Sequence, residues 1–247
     1  MPQMPKPVTN ITTVTTIAEL SELVESQFQD DKQTTVLYRG HGAASFVLKP
    51  KVGRLRPSRN TTTETVNEAL MLELFRRQST DRVEVVTMND WELLAIAQHH
   101  GLATRLLDWT RNPVVALYFC VCREHETRDP SGIPKQEDAE IVAWRCKKQD
   151  LSKTLPECGP LKIKKPLRYI PRVVTPRLRA QSGIFTAHPV PTDEFKPAGR
   201  IIRIRIPYAD RRELKRALFR HGIHEGTMFP DLDGLARHIE WCATDSY

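Results

Sequence analysis

The stretch Asp90–Val121, DWELLAIAQHHGLATRLLDWTRNPVVALYFCV, decides how the rest of the chain is read. Its pattern is helix, tight polar loop, helix. Asn89 is an N-cap candidate, with Glu92 three residues on as its capping-box partner. Trp91, Leu94, Ala95 and Gln98 follow at helical spacing. Gly101 stands at the C′ position, where a left-handed backbone ends a helix at little cost to glycine. A second start lies at Asn112-Pro113, a cap followed by a ring already set to helical φ. Val114, Leu117, Tyr118 and Val121 then share one face.

Between the helices runs His99-His100-Gly101-Leu102-Ala103-Thr104-Arg105-Leu106-Leu107-Asp108-Trp109-Thr110. A polar loop held between apolar helices is a common way to fix catalytic groups. The same residues admit a structural reading, in which Arg105 and Asp108 pair or cap and the histidines are satisfied core residues. Residue types alone leave both open.

Bulk properties narrow the class. At 247 residues the chain is long enough for a sizeable core, and 40% hydrophobic with 27% charged residues fits a water-soluble globular protein. No apolar run approaches the roughly 20 residues of a membrane helix, and MPQMPKPVTN lacks a signal-peptide layout, so no membrane partner is expected. Cys120, Cys122, Cys146, Cys158 and Cys242 are odd in number and scattered, which points to a reducing, cytoplasmic compartment. No CxxC pair, HExxH or helical His pair is present, so no metal is expected, and phosphate-loop, dinucleotide and nucleophile-elbow motifs are likewise missing from the sequence.

The net charge of +7 is concentrated. From Leu161 to Ala180 the chain carries Lys162, Lys164, Lys165, Arg168, Arg172, Arg177 and Arg179 and no acid. Such a segment is either a solvated surface or a contact for nucleic acid, with Lys162, Lys164, Lys165, Arg168 and Arg172 as the contacting groups.

Along the chain, residues 1–10 form a flexible tail and residues 11–247 a single domain. Thr15 or Thr16 caps a helix to about Phe28, burying Ile17, Leu20, Val24 and Phe28. Thr34–Tyr38 is a strand that delivers Arg39 at its end, beside Gly40, His41 and Gly42. Phe46–Arg59 reads as extended loop, with Lys51, Arg54 and Arg56 as further anion contacts. Thr62 or Thr63 caps a helix to about Arg77, with Val66, Leu70, Leu74 and Phe75 inward.

After a loop from His125 to Asp138, strands are expected at Ala139–Arg145, Ser182–Ala187 and Arg200–Ile206, with a short extended piece at Arg168–Val174. A helix from Asp210 to Gly222 buries Leu214, Ala217 and Leu218 and turns Arg211, Arg212, Lys215, Arg216 and Arg220 to solvent. The last helix starts at Asp231 with Leu235, Ile239 and Cys242 inward. Without strict βαβ alternation, the class is α+β, a single mixed domain with a predominantly helical N-terminal half and a small sheet formed mainly by later strands.

The run Gln98–Thr110, with Pro113 and Ala116-Leu117-Tyr118-Phe119, resembles the signature of the FRG domain family. That family is named for a Phe-Arg-Gly element, matched here by Tyr38-Arg39-Gly40-His41. The resemblance extends to Arg179–Phe185 and Phe229–Ala236, and so covers about Tyr38 to Trp241. It implies an accessory, defence or toxin-type effector role.

A weaker likeness links the chain to arginine-serine-glutamate ADP-ribosyltransferases: a strand ending in Tyr-Arg-Gly, a middle polar turn into an Ala-x-x-Phe helix, and a late strand led by a polar residue. It implies an ADP-ribosyltransferase-like fold, NAD as substrate, and transfer or cleavage at its glycosidic bond. Tyr38, Arg39, Gly40, His41, Thr104 and Arg105 would then bind substrate, and His99, His100, Asp108 and Gln181 would form the catalytic set. Gln181 stands where the late acid belongs; an amide offers no full negative charge, so that charge falls to Asp108 or another carboxylate. The alternative is a non-enzymatic module that binds a nucleotide or nucleic-acid end through Arg39, His41 and Arg105.

Overall fold

Helices begin where short-range hydrogen bonding dictates. In the computed structural model, which describes residues 11–28, 33–57, 65–80, 88–122, 127–128, 134–147, 155–172 and 175–244, Thr16 caps α1 (Ile17–Gln27) by accepting from Glu19 N. The capping box of Asn89 and Glu92 opens α3 (Asp90–His99), and Asn112 with Pro113 opens α4 (Pro113–Val121). Gly101 at φ 88° follows α3, and Gly222 at φ 74° follows α6 (Arg211–Arg220). The anticipated tail, residues 1–10, lies outside the described residues.

Among the described residues seven strands form one sheet in the order β1-β9-β6-β2-β3-β8-β7. They are β1 (Ile11–Thr13), β2 (Thr34–His41), β3 (Leu106–Thr110), β6 (Ala139–Lys147), β7 (Leu167–Tyr169), β8 (Gly183–Ala187) and β9 (Arg200–Ile206). A separate ladder joins β4 (Thr127–Arg128) to β5 (Pro134–Lys135) inside the segment read as loop. β1 runs parallel to β9, and the remaining pairs of the large sheet are antiparallel. The class is α+β, as expected, and the sheet takes β1, β2 and β3 from the first half of the chain.

The sheet opens at one seam. β2 pairs with β6 from Thr34 to His41, and β3 pairs with β8 from Leu106 to Thr110. Between β2 and β3 the single registered pair is Tyr38 with Thr110. The cores follow that division. On one face α1, α4 and α6 pack on Tyr38, Ile141, Ala143 and Ile204, while α3 packs separately on Leu106, Phe185 and Ala187. On the other face a cluster of Leu37, Leu107, Trp109, Val142, Trp144 and Ile184 runs under both halves. Gly40 lets α4 lie against β2: a Cβ there would stand 2.0 Å from the Ala116 carbonyl oxygen.

Several expectations are corrected. The polar loop after α3 contains β3, whose alternation buries Leu107 and Trp109 on one side and exposes Asp108 on the other. Arg39 lies within β2 rather than beyond it. The helix expected to start at Thr62 or Thr63, which fall outside the described residues, is α2 (Glu68–Gln78), capped by Asn67. Its buried side is Glu68 and Leu72, while Leu70 and Leu74 face solvent.

The basic segment includes α5 (Pro176–Ala180), capped by Thr175. Arg168 and Arg211 are buried, not solvated: Arg168 Nη1 donates to Cys146 Sγ, and Arg211 Nη2 to the Cys120 carbonyl at 2.6 Å. After α7 (Glu225–Met228), α8 (Leu232–Thr244) starts near Asp231 as expected, but Leu235 and Ile239 are exposed. No helix among the described residues is long and apolar enough to cross a membrane.

Candidate functional site

A cleft of about 310 Å³ lies at the seam. β2 contributes Tyr38, Arg39 and Gly40, β3 contributes Asp108 and Thr110, and the end of α3 contributes Gln98 and His99. Lys51 and Arg54 form one lip, and Thr175, Arg177 and Gln181 form another. Apolar walls come from Phe119, Leu178 and Phe185. Among the described residues Asp108 is the one carboxylate lining this space, against four permanent cations. A largely preformed cleft with apolar walls and a few convergent polar groups is what small-ligand sites look like.

Arg39 closes the seam. Its Nη1 donates to the Asp108 carbonyl at 2.5 Å, a group that a β2 amide would satisfy in a continuous ladder. The same nitrogen stands 3.8 Å from Asp108 Oδ2. Its Nε donates to His41 Nε2 at 3.1 Å, which fixes the guanidinium plane. Burial lowers the Arg39 pKa while Asp108 raises it, and an arginine stays charged under either influence. Burial, then the Arg39 charge, pushes the His41 pKa down to about 3, so this imidazole is neutral and can accept from Arg39.

Asp108 is held from the other side by Gln98. Gln98 Nε2 donates to Asp108 Oδ1 at 3.0 Å and Oδ2 at 3.1 Å. The amide is oriented in turn by Thr104, whose hydroxyl accepts from Leu106 N at 3.1 Å and donates to Gln98 Oε1. With its lone pairs and proton so assigned, the hydroxyl leaves Gln98 only its NH₂ group to offer the carboxylate. Asp108 remains 62% exposed on its side chain, so it is positioned and still open to a ligand.

His99 is half-buried at the cleft edge. Burial first, then His100 and Arg177, lowers its pKa, which favours the neutral ring. Its Nδ1 lies 3.3 Å from the Thr175 hydroxyl, and its carbonyl accepts from Arg177 Nη1 at 3.1 Å. Arg177 also stacks 4.4 Å from the centre of the Phe229 ring. Gln181, the residue after α5, donates from Nε2 to the Met228 carbonyl at 3.0 Å.

Of the residues singled out in the sequence, Tyr38, Arg39, Gly40, His99, Asp108 and Gln181 therefore meet in one cleft. His41 and Thr104 are buried behind it and act on Arg39 and Gln98. His100 is exposed, edge-on to His99, and does not line the cleft. Arg105 is elsewhere. Its Nε and Nη2 each lie 2.9 Å from Glu68 Oε2, and its backbone N–H donates to Glu68 Oε1 at 2.7 Å. Both side chains are buried, and Nη1 lies 3.4 Å from the Pro160, Leu161 and His188 carbonyls. Arg105 thus stitches α2, the turn at 160–162 and the end of β8 together.

Gln98, placed by the sequence on the helix at helical spacing, was given no role in the site; a glutamine ending an apolar helix run, Leu93–Ala97, is the signal that marks it. Among the described residues no group of three or more His, Cys, Asp or Glu is placed to hold a metal ion. Lys162, Lys164, Lys165 and Arg172 are exposed, whereas the burial of Arg168 removes it from any basic surface.

Comparison with curated proteins and with solved structures finds nothing that matches the chain. A family model does match, over residues 34–129, the stretch that supplies β2, α2, α3, β3 and α4 and with them both sides of the seam. That model is the FRG domain, and residues 34–129 are the part of the chain that matches it.

Proposed function

We propose that the seam cleft binds a nucleotide of the NAD type and that Asp108 supplies the negative charge for cleaving its N-glycosidic bond. One observation carries the reading: a split in the sheet presents a fixed guanidinium and an open carboxylate, Arg39 and Asp108, on facing strands 3.8 Å apart. The guanidinium suits a phosphate. The carboxylate suits the positive charge that grows on the ribose C1′ as the bond to nicotinamide breaks.

In this reading nicotinamide leaves with the bonding pair and its ring nitrogen loses its positive charge. A water or an acceptor hydroxyl adds to C1′ and gives up its proton, so the products are nicotinamide, ADP-ribose or its acceptor conjugate, and one proton. His99, the one histidine lining the cleft among the described residues, is held toward its neutral form and takes that proton. Gln181, an amide tied to Met228, contributes shape and hydrogen bonding but no charge. The resemblance to effector families extends the reading to a toxin-type protein that depletes NAD.

The test is NAD consumption by wild-type protein, Asp108→Asn and Arg39→Ala. Turnover by the wild type and its loss in both variants is the expected result. Equal turnover in all three, or in none, sinks the catalytic part. A second reading, nucleotide binding without chemistry, is favoured by the amide at Gln181 and by the hold of Gln98 on Asp108. It expects salt-sensitive nucleotide binding with no product. In growing cells, expression of the wild type and not of Asp108→Asn should lower NAD if the effector role holds.

A further inference from the structure

We propose that the turn bearing Lys51 and Arg54 reads the outer phosphate of a nucleoside diphosphate, and that the ligand of this cleft is therefore a diphosphate rather than a monophosphate. This rests on the nucleotide reading of the cleft and adds to it the residues that choose the ligand. The argument begins with what Arg39 has left to give. Two of its five N–H donors are spent inside the protein, Nε on His41 and one Nη1 hydrogen on the Asp108 carbonyl. It retains enough for one phosphate group at the floor of the seam.

The cations at the lip are not so committed. Arg54 lines the cleft, and its guanidinium makes no hydrogen bond or ion pair with any described residue. Its electrostatic neighbours are Asp108, which attracts it, and Arg39, which it repels. Lys51 spends one of its three donors on the Gly101 carbonyl, at 2.9 Å, and lines the same space. A monophosphate seated on Arg39 would leave the charges of Lys51 and Arg54 at the lip without an anion. A second phosphate beside them neutralises that excess positive charge and adds charge-assisted hydrogen bonds.

The turn is also built to hold its cations still. Val52 is buried, and its N–H donates to the Thr104 carbonyl at 3.3 Å. Gly53 is pressed against the segment after β8, where a Cβ would stand 1.7 Å from the Pro191 carbonyl oxygen. Lys51 and Arg54 are thus displayed from a backbone anchored on both sides, so little ordering is left for binding to impose.

The experiment is calorimetric titration of the full chain with ADP, AMP and adenosine at about 0.15 M salt, where surface charges are screened. The wild type should bind ADP at least about tenfold more tightly than AMP, and adenosine weakest. Arg54→Gln should bring ADP close to AMP while leaving AMP within about twofold, and Lys51→Gln should move it the same way. Arg39→Gln should weaken both nucleotides together. AMP binding serves as the internal control that the Arg54 and Lys51 variants are folded, and an unchanged thermal melt serves for Arg39→Gln.

Equal affinity for ADP and AMP in the wild type overturns the inference, as does an ADP preference that survives Arg54→Gln and Lys51→Gln. Neither result touches the cleft as a nucleotide site. Conversely, an ADP preference that disappears in Arg54→Gln, in a protein that never consumes NAD, upholds the inference and overturns the catalytic reading. A wild type that binds no nucleotide overturns both.

Discussion

Two arginine–carboxylate pairs, begun three residues apart in one loop, end in opposite circumstances. Arg105 finds Glu68, 37 residues earlier, and both vanish into the interior, with Nε, Nη1 and Nη2 of the guanidinium each within reach of an acceptor. Asp108 finds Arg39, 69 residues earlier, at 3.8 Å, and keeps its carboxylate largely exposed. The first pair is closed on itself and ties three segments together. The second leaves donors and lone pairs facing a cleft. The chemistry of the partners is the same; burial and unfilled hydrogen-bonding capacity separate a clamp from a site.

The contrast is broken most directly by removing one partner of the closed pair. Glu68→Ala leaves the Arg105 guanidinium uncompensated in the interior and should cost about 3–5 kcal/mol of stability, read by urea denaturation. A cost near zero would mean that this pair is no clamp. The open pair should behave the other way. Asp108→Asn should change stability by less than about 1 kcal/mol, because the group is exposed, yet reduce NAD turnover by about 10²-fold or more. A variant that melts early instead would move Asp108 to the structural side of the comparison.

Acid sharpens the comparison, because each pair has its own buried histidine. His41 accepts from Arg39, and the His188 carbonyl faces Arg105. Burial is the main cause that lowers both, His41 to about 3 and His188 to about 4, with Arg39 next in each case. Both folded values lie below the unfolded value of about 6.5, so the unfolded chain takes up more protons as pH falls. Their contribution is complete above about pH 6.5 and is lost toward pH 4 and then 3. Between pH 6.5 and 5 each should cost roughly 2 kcal/mol, and a His41→Gln protein should lose about half of the combined drop. A flat stability profile across that window would contradict the neutral-imidazole assignment.

The smallest effect tests the relay behind the open carboxylate. Thr104→Val deletes the hydroxyl that orients Gln98 and should cost about 1 kcal/mol, with turnover falling about tenfold as Asp108 loses its fixed donor. Thr104→Ser should restore turnover. Equal behaviour of Val and Ser variants would reduce Thr104 to a packing residue.

What the sequence alone determined is what short-range physics governs. Thr16, Asn89 and Asn112 cap helices because their side-chain oxygens reach amides two or three residues on, and Gly101 and Gly222 end helices because positive φ suits glycine. The alternation of Arg200–Ile206 and the α+β class were legible for the same reason, as was a strand leading into Arg39.

What only the tertiary structure decided is which distant groups meet. Leu70, Leu74, Leu235 and Ile239 read as buried because periodicity reports a stripe, not whether anything packs on it. Arg168 and Arg211 read as solvated because composition cannot show a carbonyl or thiol waiting in the interior. Arg105 and Asp108 invited pairing because they are neighbours, yet β3 places them on opposite fates once β2 parts from it at Thr110. The seam is a property of registers between strands far apart in the chain. Its cations and the Asp108 carboxylate become a site only through that opening.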